Sequence, residues 1–392
     1  MSRFLFVVPP MAGHVNPTLP VGRELAARGH DVAWAGPPEV AEALMPPGAR
    51  FIRVPLSGRV RDHIAARADD LRGAAALKHL VGDFLVPLAE CMVPGVHAAV
   101  ERFRPDALVV DQQALAGVAV ALARDLPWAT SATTSALLSD PLELIPKVRD
   151  WADGLQRDVL RAAGVDERTA AAVDLRFSPQ LVLVFSTPAF VGSDDFPGHY
   201  AFVGPAIGAR PDDTPFPWAW LDRPGPHVLV SLGTLNWHNG GRFFAAAAEA
   251  LGGLEAHAVI VAPPELVGAV PPNVLAVPRV PQLALLPRID AVVCHGGHNT
   301  VCEALAHGVP LVVAPIRDDQ PAIAAQVEAA GAGVRVMFRR AGPEALRSAL
   351  EAVLGDPALR AGAERVQRSF AAAGGPATAA DELEGLPALV VR

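Results

Sequence analysis

Two histidines stand where this sequence could do chemistry. His14 lies in Met11-Ala12-Gly13-His14-Val15-Asn16-Pro17, just after the apolar run Phe4–Val8. Such a run reads as a buried parallel strand. His14 then falls on the loop leaving that strand, at the carboxyl edge where α/β sheets bind ligands. An imidazole titrates near neutrality and can take a proton from a hydroxyl. A histidine base needs a carboxylate to fix its tautomer and stabilise the imidazolium. Asp111 suits that role, because it terminates the apolar run Ala107–Val110 and projects from the same edge. Asp106 opens that run at the far end and reads as structural.

The second histidine, His295, belongs to Ala291–Gln320, which reads as strand, glycine turn, helix, strand and acidic loop. Ala291–Cys294 is the strand, His295-Gly296-Gly297-His298 the turn, and Asn299-Thr300 are placed to cap the helix after it. Val301, Ala304 and Leu305 give that helix an apolar face, Gly308 ends it, and Leu311–Ala314 is the next strand. A helix N-terminus offers unpaired N–H groups and partial positive charge, and glycines let phosphate oxygens approach the backbone. With the Thr300 hydroxyl and the His295 ring N–H, the turn predicts a seat for a pyrophosphate. Asp319-Gln320 follows at the same edge, a carboxylate beside a carboxamide, which suits the vicinal hydroxyls of a sugar. Ser231-Leu232-Gly233-Thr234 repeats the small residue and hydroxyl after another strand.

The elements that must position these groups form two βα series. Phe4–Val8, a helix started at Pro17 with Asn16 as cap and closed by Gly29, and Asp31–Ala35 make a Rossmann-like βαβ opening. It lacks Gly-x-Gly-x-x-Gly, and Gly331-Ala332-Gly333 follows a helix rather than preceding one, so a dinucleotide cofactor is not indicated. Further strands are predicted at 51–54, 107–110, 181–185 and 201–203, with long mixed segments at Leu56–Cys91 and Ser131–Ser178. Gly204–Pro226 is rich in Pro, Gly and Asp and carries Trp218 and Trp220, marking a boundary. The predicted organisation is a domain over 1–205, a linker over 206–226 and a second domain over 227–376. The second contains strands 227–232, 257–261 and 274–277, a helix over 242–251, and helices begun by Pro343 and Pro357.

Composition bounds the rest. The 392 residues suffice for two cores. Hydrophobic residues make up 51%, yet the sequence shows no uninterrupted apolar run of membrane-spanning length and no cleavable leader, so a cytoplasmic location is expected. A net charge of −8 argues against a nucleic-acid partner. Cys91, Cys294 and Cys302 are too scattered for a disulfide frame or a zinc site and read as buried apolar residues. Oligomeric state is left open.

The 291–320 stretch resembles the donor-binding signature of the family 1 glycosyltransferases, which include plant secondary-product and bacterial antibiotic glycosyltransferases. The matching positions are His295, Gly297, Asn299, Thr300, Glu303, Gly308-Val309-Pro310 and Asp319-Gln320. The resemblance extends to Gly13-His14-Val15-Asn16-Pro17 around the catalytic base, to Pro105–Asp111, and to the phosphate-reaching turn with Gly233 and Thr234. In Arg279-Val280-Pro281-Gln282, arginine replaces the family's base-stacking tryptophan. A guanidinium plane also stacks on a base, main-chain groups of Val280 remain for the base edge, and uracil and thymine both stay open. His298 occupies the family's Trp or Met slot, with no role assigned.

The resemblance implies an α/β protein of the GT-B arrangement, two Rossmann-like doubly wound domains facing a central cleft. The first would hold a hydrophobic small-molecule acceptor, in pockets built by Leu56–Cys91 and Ser131–Ser178. The second would hold a nucleotide diphosphate sugar through Gly233, Thr234, Arg279, Val280, Gln282, His295, Gly297, Asn299, Thr300, Glu303, Asp319 and Gln320. Residues 377–392 would return to the first domain. The expected activity is inverting, metal-independent hexosyl transfer from UDP-glucose or a dTDP-sugar to a hydroxyl of a natural product. His14 would act as base and Asp111 as its partner, with no cofactor; the sequence holds no Asp-x-Asp triplet. Glu303 favours the intact ribose of UDP, and Asp319-Gln320 favour glucose. The alternatives are a sugar-nucleotide 2-epimerase and a catalytically silent binding protein of the same fold.

Overall fold

Parallel strands covered by helices on both faces must be apolar at successive positions, and the computed structural model contains two sheets of that kind. It describes residues 1–58, 60–61, 73–138, 145–208 and 214–386. Parts of the expected acceptor segments (59, 62–72, 139–144), of the linker (209–213) and of the C-terminal segment (387–392) lie outside the described residues. The described residues within 1–185, 195–209 and 373–392 form one compact unit, and those within 186–194 and 210–372 form another.

The strands of the first unit are β1 (Arg3–Val7), β2 (Asp31–Gly36), β3 (Arg50–Arg53), β4 (Ala107–Asp111), β5 (Trp128–Ala132), β6 (Val182–Val184) and β7 (Tyr200–Phe202). They pair in the order β3-β2-β1-β4-β5-β6-β7, every pairing parallel. Alternate residues supply two cores, Leu5, Val7, Leu108 and Val110 to one face and Phe4, Phe6, Ala107 and Val109 to the other. The order reverses between β1 and β4, so their following helices leave on opposite faces and their carboxyl ends stay open side by side. After β1 comes the single turn α1 (Ala12–Val15) and then α2 (Thr18–Ala27). The second helix starts one residue later than the Pro17 reading, and Asn16 does not cap it. Gly22 lets the Trp34 ring lie against α2, since a Cβ there would sit 2.3 Å from it.

The residues before β4 form a continuous helical segment, α3 (Ala74–Lys78), a π-helical stretch over His79–Leu85 and α4 (Val86–Phe103). By length and composition Ala75–Phe103 passes for a membrane span, which the run-length reading missed because Glu90 and other polar residues interrupt it. Leu88, Met92, Val96 and Val100 pack it into the core beside β4. α5 (Leu115–Ala123) follows β4.

The strands of the second unit are β8 (His227–Ser231), β9 (His257–Val261), β10 (Val274–Val277), β11 (Ala291–Cys294), β12 (Leu311–Val313) and β13 (Gly333–Arg335), ordered β10-β9-β8-β11-β12-β13 and parallel throughout. Here the reversal falls between β8 and β11. α6 (His298–Leu305) follows β11, and α7 (Gln320–Ala329) follows β12. Residues 186–194, expected with the first domain, group here because Phe190 meets Phe370 and Thr187 hydrogen-bonds Ser369.

α8 (Pro376–Gly385) comes last and belongs to the first unit. Ala379, Ala380, Leu383 and Leu386 are buried in the core with Phe4 and Leu25. At the rim Arg28 donates to Asp381 at 2.6 Å, and His30 meets Glu384 at 2.9 Å. Exposed ion pairs contribute little, whereas truncating a buried leucine loses transfer energy and leaves a cavity. Leu383→Ala is therefore expected to destabilise the first unit by about 2–5 kcal/mol, while Arg28→Ala changes little. Chemical denaturation followed by tryptophan fluorescence checks both.

Candidate active site

Each unit brings several of its sequence-predicted residues together beside its own reversal point. In the first, β1 and β4 pair with Val7 opposite Val110. Asp111 is the last residue of β4, rather than the one beyond it, and is 1% exposed. His14 sits on α1, a helical turn where a loop was expected, with its side chain 15% exposed. Its Nδ1 lies 2.9 Å and 3.0 Å from the two Asp111 carboxylate oxygens. A carboxylate only accepts, so Nδ1 carries the proton and the neutral ring keeps its lone pair on Nε2.

Sequence reasoning missed two groups here. The main-chain N–H of Gln113 donates to Oδ1 of Asp111 at 2.8 Å. The Thr133 hydroxyl donates to Oδ2 at 2.9 Å and stands 2.8 Å from His14 Nδ1. Thr133 lies just past β5, a strand the sequence reading did not identify, which pairs with β4 with Ser131 opposite Asp111. Recognising that strand would have placed Thr133 at the same edge. The neighbouring Gln112 carboxamide is buried with neither polar atom hydrogen-bonded.

In the second unit Cys294 lies opposite Ser231 and Val313, so the turns after β8, β11 and β12 share one edge. His295 is 8% exposed. Gly233 and Gly297 leave room for this ring. A Cβ on Gly233 would come within 2.6 Å of its Cε1, and one on Gly297 within 2.6 Å of its Nε2. Gly296, with φ +89°, adopts a conformation suited to glycine, and a Cβ there would press on Val313 and Gln320. α6 starts at His298 with Gly297 as N-cap, and no side chain caps it. The expected capping by Asn299 and Thr300 does not occur; both lie inside the first turn. Thr234 is exposed in the short helix Gly233–Asn236.

Gln282 Nε2 donates to Glu303 at 2.7 Å, which joins two of the predicted donor-binding residues. Arg279 is exposed and Val280 half-buried two residues before Gln282. Asp319 occupies the N-cap position of α7 without capping it. Gln320 departs from the reading in part. Its Oε1 accepts from the amides of Ile316 and Arg317 at 2.9 and 3.1 Å, so the carboxamide oxygen shapes the loop and its amino group is what can face a ligand. The His298 ring, without an assigned role, is buried with Nε2 3.5 Å from Cys302 Sγ. Burial pushes the Cys294 thiol up to about 12 and raises Cys302 as well, while Cys91 is half-buried rather than buried.

The calicheamicin glycosyltransferase CalG4 matches this structure with a TM-score of 0.80 and 27% identity over the whole of both chains. The spinosyn rhamnosyltransferase SpnG complexed with thymidine diphosphate matches with a TM-score of 0.75 and 26% identity, over 97% of this chain and 100% of that one. The fold and these sites define an α/β glycosyltransferase of the GT-B class. Residues 247–386 match the family profile described as erythromycin biosynthesis protein CIII-like, C-terminal domain. The chain is also 31% identical to the 4'-demethylrebeccamycin synthase of Lentzea aerocolonigenes, over 98% of its own length and 99% of that protein. It belongs to the family 1 natural-product glycosyltransferases. The comparisons give the epimerase alternative no support.

Burial lowers the His295 pKa to about 4, with the Asp319 charge opposing the shift, so the ring is neutral at pH 7. An unfolded chain would protonate it near 6.5 and the folded one near 4. Between those values the unfolded state binds more protons, so stability falls as pH is lowered through that window. The loss approaches about 3 kcal/mol near pH 4. His295→Asn should flatten this part of the stability profile, measured by thermal unfolding between pH 7 and 4.

Proposed function

We propose that the enzyme moves a hexose from a nucleotide diphosphate sugar to a hydroxyl of a hydrophobic small molecule, with inversion and without a metal. The observation that carries this reading is the His14–Asp111 pair at the open edge of β1 and β4. His14 Nε2 takes the acceptor's hydroxyl proton as its oxygen bonds to the anomeric carbon. The bond from that carbon to the diphosphate oxygen breaks, and the nucleotide diphosphate leaves with the electron pair. Asp111 stabilises the resulting imidazolium. Attack opposite the leaving group turns an α-linked donor into a β-linked product.

Charge on the leaving diphosphate is met by fixed dipoles: the N–H of neutral His295, the first-turn amides of α6, and the Thr234 and Thr300 hydroxyls. Such preorganised donors need no reorganisation during the reaction. Arg279 stacks on the base, the Gln282–Glu303 pair meets the ribose, and Asp319 with the Gln320 amino group holds the hexose. Thymidine diphosphate bound by the spinosyn relative supports a dTDP-sugar donor, while the Glu303 carboxylate supports UDP-glucose. The demethylrebeccamycin relative supports a natural-product acceptor.

His14→Ala should lower transfer by at least about 10²-fold while leaving donor binding intact, read by calorimetry with UDP-glucose and dTDP-glucose alongside mass-spectrometric detection of glucosides. Full activity in that variant would remove the base assignment. EDTA should leave the rate unchanged, and strong inhibition that a divalent cation reverses would overturn the metal-free mechanism.

A further inference from the structure

We infer that Thr133 is a positioning residue for the base, and that its hydroxyl fixes the plane of the Asp111 carboxylate against the His14 ring. The inference rests on His14 acting as the base. Each carboxylate oxygen is held by one donor besides the imidazole. Oδ1 accepts the Gln113 main-chain N–H at 2.8 Å, and Oδ2 accepts the Thr133 O–H at 2.9 Å. Thr133 has a single hydrogen to donate. With that hydrogen on Oδ2, Oγ1 presents a lone pair to His14 Nδ1 at 2.8 Å. Nδ1 is then surrounded by three acceptors, Oδ1 at 2.9 Å, Oδ2 at 3.0 Å and Oγ1. This arrangement admits the tautomer with its proton on Nδ1 and rejects the one that would place the proton on Nε2, where a base cannot use it.

Sheet geometry makes the hydroxyl a rigid reference. Thr133 is 3% exposed and follows β5, whose Ser131 lies opposite Asp111 in the β4 pairing. Asp111 itself is 1% exposed. A carboxylate at a strand end can still turn about its Cβ–Cγ bond. The amide of Gln113 holds one oxygen, which is not enough to stop that turn, and Thr133 holds the other. Without the hydroxyl, Oδ2 would keep only the imidazole as donor, and the carboxylate would be freer to turn and carry the ring with it. Groups that orient a reacting residue must be locked by their own partners to keep productive geometry.

Thr133→Val keeps the volume and removes the hydroxyl, and Thr133→Ser keeps the hydroxyl. With UDP-glucose or dTDP-glucose and a hydroxylated aromatic acceptor, Thr133→Val should lower kcat about 10- to 100-fold and leave both KM values within about threefold, and Thr133→Ser should restore most of kcat. A ligand-free readout accompanies this. In ¹⁵N-labelled protein the His14 Nδ1–H proton, identified by its loss in His14→Ala, should shift or broaden in Thr133→Val and keep its position in Thr133→Ser. Thr133→Ala replaces the valine variant if that one does not fold. An unchanged kcat and an unchanged Nδ1–H resonance in the variant lacking the hydroxyl, with His14→Ala inactive, would overturn this inference alone. Retained transfer in His14→Ala would instead overturn the base assignment beneath it.

Discussion

The constraint on which everything else rests is the parallel pairing of two strands whose helices depart on opposite faces. It occurs twice, between β1 and β4 and between β8 and β11. At such a reversal no crossover covers the strand ends, so the residues there are held by the sheet yet open at the edge. His14 and Asp111 are 97 positions apart in the chain, and one strand pairing brings them into hydrogen-bonding distance. The Gly233 turn and His295 meet the same way. The apolar runs of both units can thus be read as what keeps a few polar groups in fixed places.

The two histidines show how one side chain is given two environments. His14 keeps part of its surface and stands with Nδ1 2.9 Å from a buried carboxylate. His295 is enclosed between two glycines and loses the solvation its charged form needs, so its ring stays neutral.

Much of this was legible in the residues. Largely apolar runs at Ala291–Cys294, 257–261 and 274–277 matched strands to the residue, because buried parallel strands have few ways to be written. The histidines, Asp111 and the glycine turn were legible because position after a strand and chemical type agree. β5 was not: Trp128–Ala132 mixes small and hydroxyl residues, and its identity comes from the neighbours it pairs with. Missing that strand hid Thr133. Helix starts failed for a related reason. Asn16 and Asn299 have capping side chains, yet the backbone turns elsewhere and neither is used as a cap. Gln320 misled because its sequence position is shared by two tasks, and the loop takes its oxygen. The grouping of 186–194 with the second unit depends on a contact between Phe190 and Phe370, which no local pattern encodes.

The placement of α8 has a consequence for biosynthesis. A ribosome completes the whole second unit before it makes the helix that seals the Phe4 and Leu25 face of the first. The half synthesised earliest is therefore the last to close, and until then that apolar surface is uncovered on the nascent chain. Domains made first usually fold first; here the first unit is completed by residues that follow the second in the chain. A premature stop near residue 370 would damage the beginning of the protein while sparing most of what was translated just before it.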